Sequence, residues 1–400
     1  MEKAKKLIEV ALPIKEISAE SVRDKSIRHG HISTLHLWWA RRPLPVSRAV
    51  VFASLVPDPL DKNCPKAFGD AVDCLLNTGN AKSIYKPYAD IPYTAIHDSV
   101  DDNRRNRLMA FIAQFGDECQ KNMLKGKATP PKEQLSDYSL IKWESKDNPE
   151  ILGIARKLIW VAYNAELDSA KSYKELAAEF DAAYKAITDA EKALYGTVDR
   201  HIECDTNRDL EIALKEAIEK FQNRMPSVFD PFAGGGAIPL EAARLGCRSF
   251  GNDINPVAHI IEKGSAEFPQ KYGKRIVYSK AEFERIYGED GVKLFHEKSN
   301  DDGTGWRVDT KNYYLKNRLS FDVEYYAKKI LKETEAQVGY LYPPDEQGRK
   351  PVAYYWARTA TCSNPSCGAE VPLLKGFYLC DTRRKKVYLR PVINDTSIKK

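Results

Sequence analysis

Residues 228–253 hold the groups in this chain best suited to chemistry. Val228 and Phe229 close a short apolar run, Asp230-Pro231-Phe232 breaks it, and Ala233-Gly234-Gly235-Gly236 follows. Consecutive glycines reach dihedral angles closed to other residues and let backbone amides approach a ligand. Pro239 to Leu245 reads as a short helix with Gly246 as its C-cap. Cys247 to Asn252 reads as the next strand, which puts Asp253 at its carboxyl end. A carboxylate there can accept both hydroxyls of an adenosine ribose. Strand, glycine turn, helix, strand and acid together make the first half of a nucleotide-binding α/β unit. Asp-Pro-Phe, the proline-led helix and the lack of a spaced Gly-x-Gly-x-x-Gly argue against an NAD-type dehydrogenase.

Two further blocks stand around this unit. Near the start is Ile32-Ser33-Thr34-Leu35-His36-Leu37-Trp38-Trp39-Ala40-Arg41-Arg42-Pro43-Leu44. Near the end, Tyr355-Trp356-Ala357-Arg358 leads into Cys362-Ser363-Asn364-Pro365-Ser366-Cys367-Gly368. The glycine motif resembles the Asp-Pro-Phe-x-Gly-x-Gly of S-adenosylmethionine-dependent amino-methyltransferases, which methylate exocyclic nitrogens of DNA bases. With both blocks in this order, the chain resembles the large zinc-ribbon-containing adenine-specific DNA methylases. These begin with a conserved domain of formerly unknown function. The resemblance covers residues 1–60 and about 225–400, and adds little between them.

What the resemblance implies is an α/β fold: a Rossmann-like class I methyltransferase core, incomplete in this chain, with a helical insertion and a partial zinc-ribbon-like carboxyl end. It implies methyl transfer from S-adenosylmethionine to adenine N6 in DNA, in restriction-modification or anti-phage defence. Asp230, Pro231, Phe232, Ala233, Gly234, Gly235 and Gly236 would line the methionine end of the cofactor, with Phe232 packed near it. Asp253, with Ile254 beside it, would hold the ribose. Cys362 and Cys367, spaced as half of a zinc ribbon, would take one side of a tetrahedral Zn²⁺, given a second ligand pair outside this chain.

The second motif of such enzymes, Asp/Asn/Ser-Pro-Pro-Tyr/Phe, is not found. Its polar residue and first proline carbonyl accept hydrogen bonds from the base amine, and its aromatic stacks on the flipped base. The Pro-Pro pairs here are followed by Lys132 and by Asp345. No catalytic residue is therefore assigned. The chain is expected to be the amino-terminal part of a longer or split enzyme, completed by another segment or subunit. Otherwise it is a degenerate, non-catalytic nucleic-acid-binding subunit with a vestigial cofactor site.

The elements that must position these groups fall into four segments. Residues 1–60 form a Trp/Arg-rich module. Its Arg41, Arg42 and Arg48, with His29, His31 and His36, are candidates for phosphate or for the cofactor carboxylate, or equally for a structural cluster of guanidinium on indole. Residues 61–225 read as a helical insertion, with apolar stripes over 103–119, 151–166, 172–195 and 209–221. Residues 226–340 would be the cofactor core, and 341–400 the ribbon-like end. There Arg383 and Arg384 lie in a basic hairpin able to meet DNA phosphates or to protect a strand edge.

Composition fits this reading. A net charge of +6 permits a nucleic-acid partner without requiring one. The eight cysteines are too scattered for a disulfide framework and read as free thiols apart from the knuckle. No apolar run is long enough for a membrane span, and Leu7–Pro13 is too short and acidic for a secretory signal. The expected location is the cytoplasm.

Overall fold

The computed structural model describes residues 3–76, 103–195, 204–299, 306–344, 347–350, 357–382 and 385–390. Asp345, Tyr355, Trp356, Arg383 and Arg384 lie outside the described residues. The chain forms two units, Met1–Tyr325 and Tyr326–Lys400. No helix among the described residues is long and apolar enough to cross a membrane.

In the first unit, α1 (Ile14–Asp24), α2 (Leu44–Leu55) and α3 (Lys66–Leu75) come from the amino-terminal segment. Pro45 falls in the first turn of α2, where its missing amide hydrogen leaves no intrahelical acceptor unmatched. Next come α4 (Arg104–Ile112), α5 (Asp117–Leu124), α6 (Pro149–Leu167), α7 (Tyr173–Tyr195) and α8 (Cys204–Gln222). The side chain of Asn148 caps α6 by accepting from the amides of Glu150 and Ile151, with Pro149 as first helical residue. Trp160 on α6 is buried, stacks on Phe221 at 5.3 Å and meets the edge of Phe180 at 5.7 Å. That cluster ties α6, α7 and α8 together just before the glycine motif.

The apolar pattern over 103–119 predicts a single helix, but the chain breaks it. Ala113 is extended, and Phe115 makes an antiparallel bridge to Leu135. Gly116 N–H donates to Gln134 O at 2.9 Å, and Ser136 N–H to Gln114 O at 2.8 Å. A partner segment distant in sequence supplies these hydrogen bonds, so the local periodicity is overridden there.

The strands β1 (Ser227–Asp230) and β2 (Arg248–Gly251) pair in parallel, with Asp230 opposite Gly251. Helix α9 (Ala237–Arg244) crosses between them. Among the described residues this sheet has two strands. α10 (Pro256–Glu262) follows, capped by the Asn255 side chain, and runs through a π turn at Lys263–Glu267 into α11 (Phe268–Tyr272).

Residues 276–325 build a second core. β3 (Ile276–Ser279) leads into α12 (Lys280–Ser299), and β4 (Arg307–Val308) and β5 (Asn312–Leu315) follow in an antiparallel sheet ordered β3-β5-β4. Phe283, Phe295, Tyr313 and Phe321 fill it, the last from the start of α13 (Arg318–Val338). These strands, two to four residues long, are too short to show a period in the sequence. In the second unit, β6 (Thr359–Thr361) pairs antiparallel with β7 (Glu370–Pro372), and β8 (Tyr378–Asp381) with β9 (Lys386–Tyr388).

The main hydrophobic core runs without interruption from Leu7 through α2, α3 and α6 to Ala242, Leu245 and Cys247. One ion pair crosses it. Arg48 on α2 and Glu241 on α9 are both fully buried, with Arg48 Nε donating to Glu241 Oε2 at 2.5 Å. Arg48 Nη1 donates to Leu140 O at 2.8 Å, and Arg244 holds the other oxygen of Glu241. Removing one member of a buried pair leaves an uncompensated charge, whereas replacing both by apolar groups removes the problem. Arg48→Ala is expected to lower stability by about 3 kcal/mol or more in urea unfolding, and Arg48→Met with Glu241→Leu to recover part of it. Equal losses in the two variants would show that the charge pair does not govern this contact.

Glu16 on α1 is 1% exposed. Burial pushes its carboxyl from the ordinary 4.5 up to about 7, against smaller opposing effects of its own backbone amide and Lys15. The group is protonated in both states below pH 4.5, so no penalty applies there. Between pH 4.5 and 7 only the unfolded chain ionises, and stability falls with rising pH, by about 3 kcal/mol for this group alone. Glu16→Gln should remove that slope and be the more stable protein at pH 8, as read by urea midpoints at both ends of the range.

Candidate cofactor site at the glycine turn

The turn after β1 is fixed by backbone pairing as much as by glycine. Asn252 N–H donates to Asp230 O at 2.9 Å, and Ala233 N–H returns to Asn252 O at 3.0 Å. The segments after β1 and β2 are thus laced together. Gly234 and Gly236 have φ of 54° and 75°, the left-handed region that a Cβ disfavours. Gly236 caps α9, so the helix begins directly at the turn.

Asp253 reaches across to this turn. Its Oδ2 accepts the Gly234 N–H at 2.9 Å and its Oδ1 accepts the Asn255 N–H at 2.9 Å. The carboxylate is half-buried, and each oxygen keeps one further lone pair for an incoming hydroxyl. Asp230 is buried; its Oδ1 accepts the Phe232 N–H at 3.0 Å, while Oδ2 has no partner. Ala233 is buried, Pro231 and Phe232 are exposed, and Ile254 is 99% exposed beside Asp253. The nine residues expected at a cofactor site therefore fall together around the carboxyl ends of two parallel strands.

Two neighbours were not legible in the sequence. Glu262, at the end of α10, lies against the turn: a Cβ on Gly236 would be 3.2 Å from its Cγ, and one on Gly251 only 2.6 Å from its Oε2. Its Oε1 is buried without a partner. Desolvation, then the charges of Asp253 and Asp230, raise its pKa from the ordinary value. The second neighbour is Trp38. A Cβ on Gly234 would stand 2.7 Å from Trp38 Nε1, and one on Gly235 3.4 Å from Trp38 Cβ. Trp38 stacks on Trp39 at 4.6 Å, and Leu35 from the same loop packs on Gly264. The tryptophan pair was visible as a motif, but its contact with a turn so distant in sequence carries no local signal.

A buried polar network holds that loop. His31 Nε2 donates to Asp24 Oδ1 at 2.8 Å, and His31 Nδ1 accepts from the Ser33 amide at 3.0 Å. Arg41 Nη1 lies 3.0 Å from the same Nδ1, and Arg41 Nη2 is 3.4 Å from Asp24 Oδ2. Arg41 is thereby drawn inward, whereas Arg42 is exposed. Arg48, equally open in the sequence to a phosphate or cofactor ligand and to a structural cluster, is committed to Glu241 inside the core.

In the second unit, Cys362 and Cys367 sit on the β6–β7 hairpin, with Cys362 N–H donating to Ala369 O and Cys367 N–H to Asn364 O. Among the described residues no three His, Cys, Asp or Glu side chains converge as metal ligands. Two thiolates fall short of the four ligands of a closed zinc site. On β9, Lys386 pairs with Asp381 at 3.0 Å.

A family model described as "Protein of unknown function (DUF1156)" matches residues 11–73. That span contains α1, α2, most of α3 and the Trp38 loop. No match to the chain is found among curated proteins or among solved structures.

Gly234→Ala combines a left-handed φ with a clash on Trp38 and is expected to cost about 2 kcal/mol, with an altered tryptophan emission. Gly235→Ala meets only ordinary contact distances and should cost much less. Urea unfolding followed by fluorescence separates them, and equal costs would mean that Trp38 does not rest on the turn.

Proposed function

We propose that this chain is the cofactor-binding part of an S-adenosylmethionine-dependent DNA methyltransferase acting on adenine N6. The observation that carries the reading is the Gly234–Asp253 hydrogen bond, which joins a glycine turn after one parallel strand to a carboxylate after the next. That arrangement suits a ligand with an adenosine ribose at one end and a compact charged group at the other. The residues present fit such a ligand: Asp253 has lone pairs left for ribose hydroxyls, and the buried Asp230 Oδ2 lacks a partner. The choice of DNA adenine as acceptor rests on the resemblance of the motif blocks around Trp38, Asp230 and Cys362.

The cofactor supplies a methyl group activated on a sulfonium sulfur. The chain's own residues would bind and orient. Asp253 would fix the ribose and the Gly234–Gly236 backbone would meet the methionine end, with Trp38 covering the Gly234–Gly235 side of the turn. Transfer is an in-line displacement, in which alignment supplies much of the rate. No base-positioning tetrapeptide stands among these 400 residues, so in this reading the chemistry needs a group that they do not supply. Zinc at Cys362 and Cys367 would be structural, with its remaining ligands contributed from elsewhere.

The test is calorimetric titration of S-adenosylhomocysteine into the folded chain, with Asp253→Ala alongside. Micromolar binding by the wild type, weakened about tenfold or more in the variant, is the expected result. A folded chain that binds no cofactor but binds DNA in a salt-sensitive way would sink the methyltransferase reading and leave a nucleic-acid-binding subunit.

A further inference from the structure

The turn is bordered by more negative charge than a neutral ligand needs. Asp230 and Glu262 both adjoin Gly251: Asp230 is its ladder partner, and Glu262 Oε2 occupies the space a Cβ there would need. Asp230 is 7% exposed, and its carboxylate faces the turn because Oδ1 accepts the Phe232 N–H. One oxygen of each carboxylate is buried and without a hydrogen bond. Buried acceptors of this kind are costly unless a donor or a cation meets them. The charges that act on Glu262 are those of Asp253 and Asp230, both negative. Trp38 lies along the Gly234–Gly235 backbone and is itself backed by Trp39. An indole wall lowers the local dielectric and strengthens whatever charge interaction occurs beside it.

We propose that Asp230, Glu262 and Trp38 form a charge-selective subsite at the glycine turn, which holds the cationic end of a sulfonium cofactor and releases the neutral thioether left after methyl transfer. The proposal rests on the cofactor reading given above. In the transfer, the acceptor nitrogen's lone pair forms the new N–C bond and the methyl–sulfur bond breaks. Its electron pair stays on sulfur, which becomes neutral, and the nitrogen loses a proton to solvent. The negative subsite then has one positive charge fewer to hold. Glu262 is a specificity residue in this scheme and touches no reacting atom.

The experiment is calorimetry on the whole chain with S-adenosylmethionine, S-adenosylhomocysteine and sinefungin, which carries an amine near the position of the sulfonium. The two cationic ligands should bind about tenfold more tightly than the thioether. Glu262→Gln should bring that ratio close to one while leaving thioether affinity unchanged; Trp38→Phe, which keeps an aromatic wall, should preserve most of it. Equal affinities in the wild-type chain, or a ratio untouched by Glu262→Gln, would overturn the subsite and leave the cofactor reading standing. Failure of a folded chain to bind any of the three would overturn both.

Discussion

The buried pair of Arg48 and Glu241 is the constraint on which the arrangement of the candidate site depends. It joins the second amino-terminal helix to the helix that starts at the glycine turn, inside a core where neither charge can reach water. A pair of this kind is weak evidence for stability but strict about geometry, because a small displacement strands two charges. The guanidinium also binds the Leu140 carbonyl, so α2, α9 and the segment before α6 meet at one group. The turn therefore has its position set from below by the amino-terminal helices as well as by its own strand.

The same helices shape the turn from above. The loop between α1 and α2 is held by the Asp24–His31–Arg41 network, and from it Trp38 and Leu35 reach Gly234 and Gly264. The region matched by the family of unknown function thus packs directly on the glycine turn and on the helix that follows it. Histidine serves here as a junction: its two ring nitrogens join a carboxylate on one side to an amide and a guanidinium on the other. A rigid loop of this sort suits a wall, and a wall beside carboxylates controls how strongly their charge is felt.

Much of the local structure was legible in the residues. Glycines, prolines and short apolar runs mark β1, α9, β2 and the position of Asp253, because turn chemistry and periodicity are local properties. The stripes through Leu176, Phe180 and Tyr184, and through Leu214 and Phe221, mark α7 and α8 for the same reason. What was hidden was pairing over distance. The break at Ala113 depends on Leu135, the place of Trp38 on Gly234, and the fate of Arg48 on Glu241. Arg48 stood equally open to a ligand role and to a structural cluster on indole, and only the folded chain reveals its carboxylate partner. Glu262 had no signal at all, since a glutamate closing a short helix is ordinary until two glycines and two aspartates adjoin it. The antiparallel sheet of β3, β4 and β5 was missed because two- to four-residue strands carry no readable alternation.

The separation of Arg48 from Glu241 by 193 residues has a consequence for synthesis. A ribosome adding about 5–20 residues per second needs on the order of ten to forty seconds to deliver the second member of the pair after the first. Throughout that interval α2 carries an arginine destined for the interior, next to Leu44 and Phe52, with no carboxylate to receive it. This part of the first unit's core therefore closes only once residue 241 has been made.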